Sequence, residues 1–195
     1  MRLTVRVLSL GCILAASSFP QFREHVVAED LRGAYQVVAA DVNRDGKPDL
    51  IGLAQNTGEL VWFENPSWQR HVMAQGLKSW INLDLYDPGE GAVPVVVLAA
   101  AFSMEPARSV GTVHVLQPGK DPREPWEIRE IDRLPISHRI RFARLDGRGG
   151  KVAVNAPLAG AHAASPDYRD KVPLVYYRPG VWKRELISDD FDGVL

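Results

Sequence analysis

The chain has a single cysteine, Cys12, close to its N-terminus. One thiol cannot close an internal disulfide, and everything after Cys12 lacks a thiolate for nucleophilic catalysis. No Gly-x-Ser-x-Gly elbow occurs either, which removes the usual signature of a serine hydrolase. Charge of one sign is not in excess, because 23 Lys and Arg face 24 Asp and Glu for a formal net charge of -1. That balance implies no nucleic-acid partner. No stretch shows the sustained 3.6-residue apolar period of an amphipathic helix, and no apolar run is long enough for a membrane span. Carboxylate pairs such as Glu29-Asp30 and Asp189-Asp190 stand in repeated linkers, so they offer no obvious glycosidase pair facing a cleft.

What the chain does have is 16 Gly and 14 Pro among short β-branched and aromatic runs, the composition of strands and tight turns. Its most informative stretch is Asp41-Val42-Asn43-Arg44-Asp45-Gly46-Lys47-Pro48-Asp49. Oxygen side chains at positions 1, 3, 5 and 9 around a glycine suit Ca²⁺, which takes six to eight oxygen ligands in flexible geometry. Asp41, Asn43 and Asp45 would each give one oxygen, the Lys47 carbonyl another, and Asp49 two. A helix-loop-helix site would carry a glutamate at position 12, but Gly52 stands there, inside the strand-like run Leu50 to Ala54. The loop is therefore expected to join two strands, with Tyr35 to Ala40 as the first. The competing reading is an Asx-rich turn without an ion, and the Lys47 ammonium filling the cation position would favour it.

Repetition is the second feature. Segments beginning at Phe22, Trp68, Trp126 and Trp182 are versions of one strand, an aromatic residue followed by charged residues and an apolar pair. Strands closed by a proline turn precede the last three copies, and the linker at 28–33 returns at 188–193. Units of about 40 to 50 residues with roughly four strands each predict an all-β protein of β-propeller blades, each a four-stranded antiparallel sheet. The expected units run 22–67, 68–125 and 126–181, with a fourth starting at 182, within a partial propeller over 19–195. About three and a half blades fit, and a mid-repeat stop points to a fragment whose further blades would come from the same reading frame or another chain.

With these marks the chain resembles the FG-GAP or VCBS type of propeller repeat, whose blades carry a D-x-[ND]-x-D-G-x-x-D loop. The resemblance is complete over Asp41 to Asp49 and implies a calcium site there. Unit two matches poorly at Asn82 to Gly91, where Tyr86 replaces an oxygen ligand, and unit three puts Arg144 at the first ligand position. No ion is expected in either.

Arg2 and Arg6 precede an apolar run, Val7 to Ala16, and the small residues Ser17 and Ser18, the layout of a secretory signal peptide over 1–18. A secreted or periplasmic location follows, where calcium is plentiful; the alternative is a first strand of a cytosolic domain.

Among the five histidines, His25 and His71 share one place in the repeated strand and read as structural, while His114 sits mid-strand. His138, at the start of a blade's first strand, and His162, after the glycine and alanine loop 155–161, are weak catalytic candidates that could share a metal such as Zn²⁺ with a third ligand. Two unrelated surface histidines are the plainer reading. The segments 137–143, 156–160 and 182–190 are similar to the propeller region of aldos-2-ulose dehydratase-like proteins. That resemblance implies a metal-dependent carbohydrate lyase in which a metal polarises a sugar carbonyl and a base removes the α-proton, and it implies a cupin domain that this chain lacks. Two functions are thus expected from the sequence: a secreted calcium-binding propeller that binds carbohydrate or protein, or part of such a lyase.

Overall fold

Short apolar runs bounded by glycine and proline turns fold here into three four-stranded sheets. The structure, a computed structural model, describes residues 23–89, 94–145 and 150–192. The expected signal segment 1–18, with Cys12, lies outside them. Sheet 1 holds β1 (Ala34–Ala40), β2 (Asp49–Ala54), β3 (Glu59–Glu64) and β4 (Gln69–Gln75). Sheet 2 holds β5 (Asn82–Tyr86), β6 (Val95–Ala100), β7 (Thr112–Gln117) and β8 (Glu127–Arg133). Sheet 3 holds β9 (Ser137–Ala143), β10 (Val152–Pro157), β11 (Lys171–Tyr177) and β12 (Arg184–Asp192). Each sheet is a meander of sequential antiparallel strands. Among the described residues there is no α-helix, only a 3-10 turn at Pro106–Arg108, and no helix is long and apolar enough to cross a membrane.

The all-β expectation, with four-stranded antiparallel sheets, is what the chain forms. The phase of the repeat is different. Sheets span 34–75, 82–133 and 137–192, so the aromatic segments at Trp68, Trp126 and Trp182 lead into the last strand of a sheet. Each pairs with the strand just before it across a proline turn, because consecutive strands joined by a short connection are natural neighbours. Residues 184–192 accordingly complete sheet 3 as β12 instead of opening a fourth unit. The first copy, from Arg23, precedes sheet 1 and lies in no strand.

Sheet 2 is buried on both faces. Its strand β6 shows why, since period-two alternation sends Val96 and Leu98 into one core with Ile51, Trp62 and Trp80, and Val95, Val97 and Ala99 into another with Ile140, Val175 and Tyr177. All six β6 residues are buried, as a near-continuous apolar run requires. Sheets 1 and 3 each turn one face away from sheet 2. On sheet 1 the segment from His25 to Leu31 runs along that face beside Val37, Leu50 and Phe63. A Cβ on Gly52 would stand 3.1 Å from Leu31 Cδ1, so a larger residue there would require the Leu31 side chain to shift by a few tenths of an ångström. On sheet 3, Leu186 and Phe191 stay exposed.

The first strands of the three sheets lie side by side, β1 against β5 and β5 against β9. Their hairpins close at equivalent pairs, Ala40 with Asp49, Tyr86 with Val95 and Ala143 with Val152. This register aligns Tyr35, Ile81 and His138, and then Gln36, Asn82 and Arg139. A repeated clasp joins neighbouring strands at the second set. Gln36 Oε1 accepts from Leu83 N at 2.8 Å, and Asn82 Oδ1 accepts from Ile140 N at 2.8 Å. Each side chain thus satisfies a backbone amide of the next sheet.

Candidate functional site

The two expected sites occupy opposite ends of β1, about 20 Å apart at the rise of a strand. At one end the nonapeptide forms the β1–β2 hairpin loop, as expected. Gly46 takes φ 84, which a glycine adopts without strain. Asp41 accepts from Asp45 N at 3.0 Å and from Gly46 N at 2.9 Å, Asn43 Oδ1 accepts from Asp45 N at 3.1 Å, and Asp45 Oδ1 accepts from Lys47 N at 2.9 Å. Asp49 is wholly buried, with Oδ2 accepting from Val42 N and Oδ1 from Asn65 N, both at 2.9 Å. It ties the loop to the end of β3.

Ionised carboxylates keep spare lone pairs after one such bond, so the donor chemistry of Asp41, Asn43 and Asp45 suits a hard cation. Two features weigh against a full ligand set in this arrangement. Asp49 is committed to two amides, and Lys47 Nζ lies 3.0 Å from Asp45 Oδ2, where an ion would compete with it. The ammonium, and then the Lys47 amide, hold the Asp45 carboxyl below its usual range. Both side chains are largely exposed, so the pair is weak and displaceable. Among the described residues no three His, Cys, Asp or Glu side chains gather as a metal group.

Beside the loop stands Glu64, which the sequence did not single out. It accepts from Asn43 Nδ2 at 2.8 Å and Arg123 Nε at 2.9 Å, and its Oε2 lies 2.9 Å from His71 Nε2. Arg123, then His71 and Asn43, hold its carboxyl down at about 2. His71 stacks on Trp62 at 4.6 Å, so its reading as structural agrees with its place. In sheet 2 the register puts Asp87, not Asn82, opposite Asp41. Asn82 to Tyr86 is the strand β5 itself, and the buried Asp49 position is taken by Val95. Asp87 instead pairs with Arg44 at 3.0 Å. The sequence aligned Asn and Asp by type, whereas the strand ladder fixes them by position.

At the other end of β1 lies a cleft of about 400 Å³ lined by Tyr35, Gln55, Asn56, Ser79, Ile81, Phe102, Ser103, Met104 and His138. Tyr35 in β1, His138 in β9 and Ile81 immediately before β5 hold equivalent register positions, and the others come from the β2–β3, β4–β5 and β6–β7 connections. His138 is 8% exposed. Its Nε2 lies 3.3 Å from Tyr35 Oη, and its ring is tilted 43° against Phe102 at 5.1 Å. Burial, and then the Arg139 charge, push the imidazole down to about 4, so it is neutral at pH 7. Among the described residues no carboxylate lines the cleft.

His162 does not join this site. It is exposed in the turn after β10, its amide donating to Asp170 Oδ2 at 2.7 Å, and it does not line the cleft. Of the two histidines expected to share a metal, His138 alone is among the described residues that line the cleft. His114 is buried in β7 with neither ring nitrogen partnered among the described residues. Trp80, without a role in the sequence repeat, is a core residue.

The fold and sites define an all-β protein of stacked four-stranded antiparallel sheets with a polar, aromatic cleft where their first strands meet. The chain matches no family model and no curated protein with which it was compared.

Proposed function

We propose that the chain is part of a β-propeller of the FG-GAP or VCBS kind whose cleft binds a carbohydrate. One observation carries the reading: the same register position in three successive sheets, Tyr35, Ile81 and His138, opens onto one cleft. Sugars offer an apolar ring face and a rim of hydroxyls. Tyr35 and Phe102 provide aromatic surface for the former, and Gln55, Asn56, Ser79, Ser103 and the neutral His138 provide donors and acceptors for the latter. A volume of about 400 Å³ suits a ligand of one or two sugar rings. Sheet 2, covered on both faces, supports the ring because it is how an interior blade packs. Further blades would cover the outward faces of sheets 1 and 3.

In this reading the protein is exported by the segment 1–18, and Ca²⁺ outside the cytosol enters the Asp41–Asp49 loop by displacing Lys47 from Asp45. The ion stiffens the hairpin and takes no part in ligand binding. A metal-dependent carbohydrate lyase of the aldos-2-ulose dehydratase kind is the second reading, favoured by the placing of His138 in the cleft. His138 and Tyr35 would there handle protons, and the metal ligands would have to come from beyond the described residues.

The test is a binding titration of the full chain against neutral and acidic oligosaccharides, followed by calorimetry and by chemical shifts of cleft residues. Binding that is lost in His138→Ala while the circular dichroism spectrum is kept supports the site. Absence of any saccharide binding at millimolar concentration overturns it.

A further inference from the structure

Arg139 breaks the pattern of its register position. Gln36 and Asn82 each clasp the backbone of the next first strand, but Arg139 stays exposed at the lip of the cleft. Its guanidinium lies over the Tyr35 ring, 5.7 Å from the centroid, with Nη2 3.4 Å from Tyr35 Oη. The same Tyr35 hydroxyl meets His138 Nε2. No carboxylate among the described residues pairs with Arg139, and none lines the cleft. A fixed, uncompensated cation thus borders a cleft whose other polar groups are neutral.

That arrangement selects for an anion on the ligand. A guanidinium offers a planar pair of N–H donors that matches a carboxylate edge to edge, and the Tyr35 ring and hydroxyl lie within reach of it. We propose that the cleft takes a carboxylated sugar, a uronate residue, with the carboxylate on Arg139 and the sugar ring against Tyr35 and Phe102. This inference rests on the carbohydrate reading and names its ligand class. Uncharged sugars would leave Arg139 without a partner and gain nothing from it.

Calorimetric titration of the full chain with trigalacturonate, its methyl ester and maltotriose tests the inference. The acid should bind about tenfold or more tighter than the ester, with an affinity that falls as salt rises, as for an accessible charge-assisted pair. Arg139→Gln should abolish that preference while leaving the weaker binding of maltotriose, and Arg139→Lys should restore part of it. Because Arg139 is exposed, neither substitution threatens folding. Equal affinity for acid and ester, or a preference that survives in Arg139→Gln, overturns the uronate assignment and leaves the carbohydrate reading standing. Failure of all three saccharides to bind overturns both.

Discussion

At the Asp41 end of β1 the chain answers its own charges, and at the Tyr35 end it does not. The loop between β1 and β2 is dense in carboxylates, yet Asp41, Asp45 and Asp49 accept from amides of the loop and its neighbour Asn65, and Lys47 closes on Asp45. Among the described residues the cleft has no carboxylate in its lining, and Arg139 beside it has no acidic partner. A run of acidic residues thus marks a place where the backbone reverses and needs acceptors for its amides. The open site came instead from three chemically different residues, Tyr35, Ile81 and His138, brought to equal register in three sheets.

This contrast can be broken most forcefully at Asp49. Its side chain is fully buried and satisfies two amides, so Asp49→Ala should cost about 2–4 kcal/mol by leaving Val42 N and Asn65 N unpaired. Urea unfolding measures it, and a loss below about 1 kcal/mol would show that the loop does not depend on its own carboxylates. Cleft-end variants such as His138→Gln should cost less, since Tyr35 Oη is the one hydrogen-bond partner of the His138 ring among the described residues.

Acid separates the two ends by window. His138 has a folded-state value pushed below 6.5 to about 4, so the unfolded chain takes up its proton first and stability falls as pH drops from about 6.5 to about 4. Buried His114, also shifted down by burial, adds to the same window. For His138 alone the loss should be roughly 3 kcal/mol. Glu64, beside the loop, is depressed from 4.5 to about 2, so its contribution is whole above about pH 4.5 and disappears as pH falls toward 2. Unfolding series at pH 7, 5 and 3 should show two steps, with His138→Gln flattening the first and Glu64→Gln the second. A single step that neither variant changes would erase the distinction between the ends.

The smallest effect concerns the ion. A chelator should lower the melting temperature by about 1–4 °C, since an exposed, weak site adds little stability. Asp45→Ala should remove that sensitivity, and Lys47→Met, which takes away the competing ammonium, should increase it. If neither the natural chain nor Lys47→Met responds to chelation, the loop is an ion-free turn and its acids serve the hairpin alone.

Much of the strand content was readable along the chain. The runs at 34–40, 49–54, 59–64 and 69–75 carry β-branched residues, proline turns and the Asp45-Gly46 reversal, all local signals. The phase of the repeat was not, because an aromatic segment looks the same whether it opens a unit or ends one. Only its pairing with the preceding strand decides. His138 stood out in sequence by its place before a strand. Its cleft neighbours Tyr35, Gln55 and Phe102 did not, since they are ordinary residues 103, 83 and 36 positions away. The Glu64–Arg123 contact, 59 residues apart, was equally hidden.

By itself the sequence determined the class of structure, because period-two apolar runs between glycine and proline turns can bury their faces only as stacked sheets. It also determined the reversal at Asp45-Gly46, which depends on nothing outside the loop. Tertiary packing decided what each polar group does. Burial made Asp49 a clasp and His138 a neutral imidazole, and the meeting of three sheets at their first strands brought Tyr35, Ile81 and His138 into one site. Burial and long-range proximity belong to the assembled fold, and no window of sequence contains them.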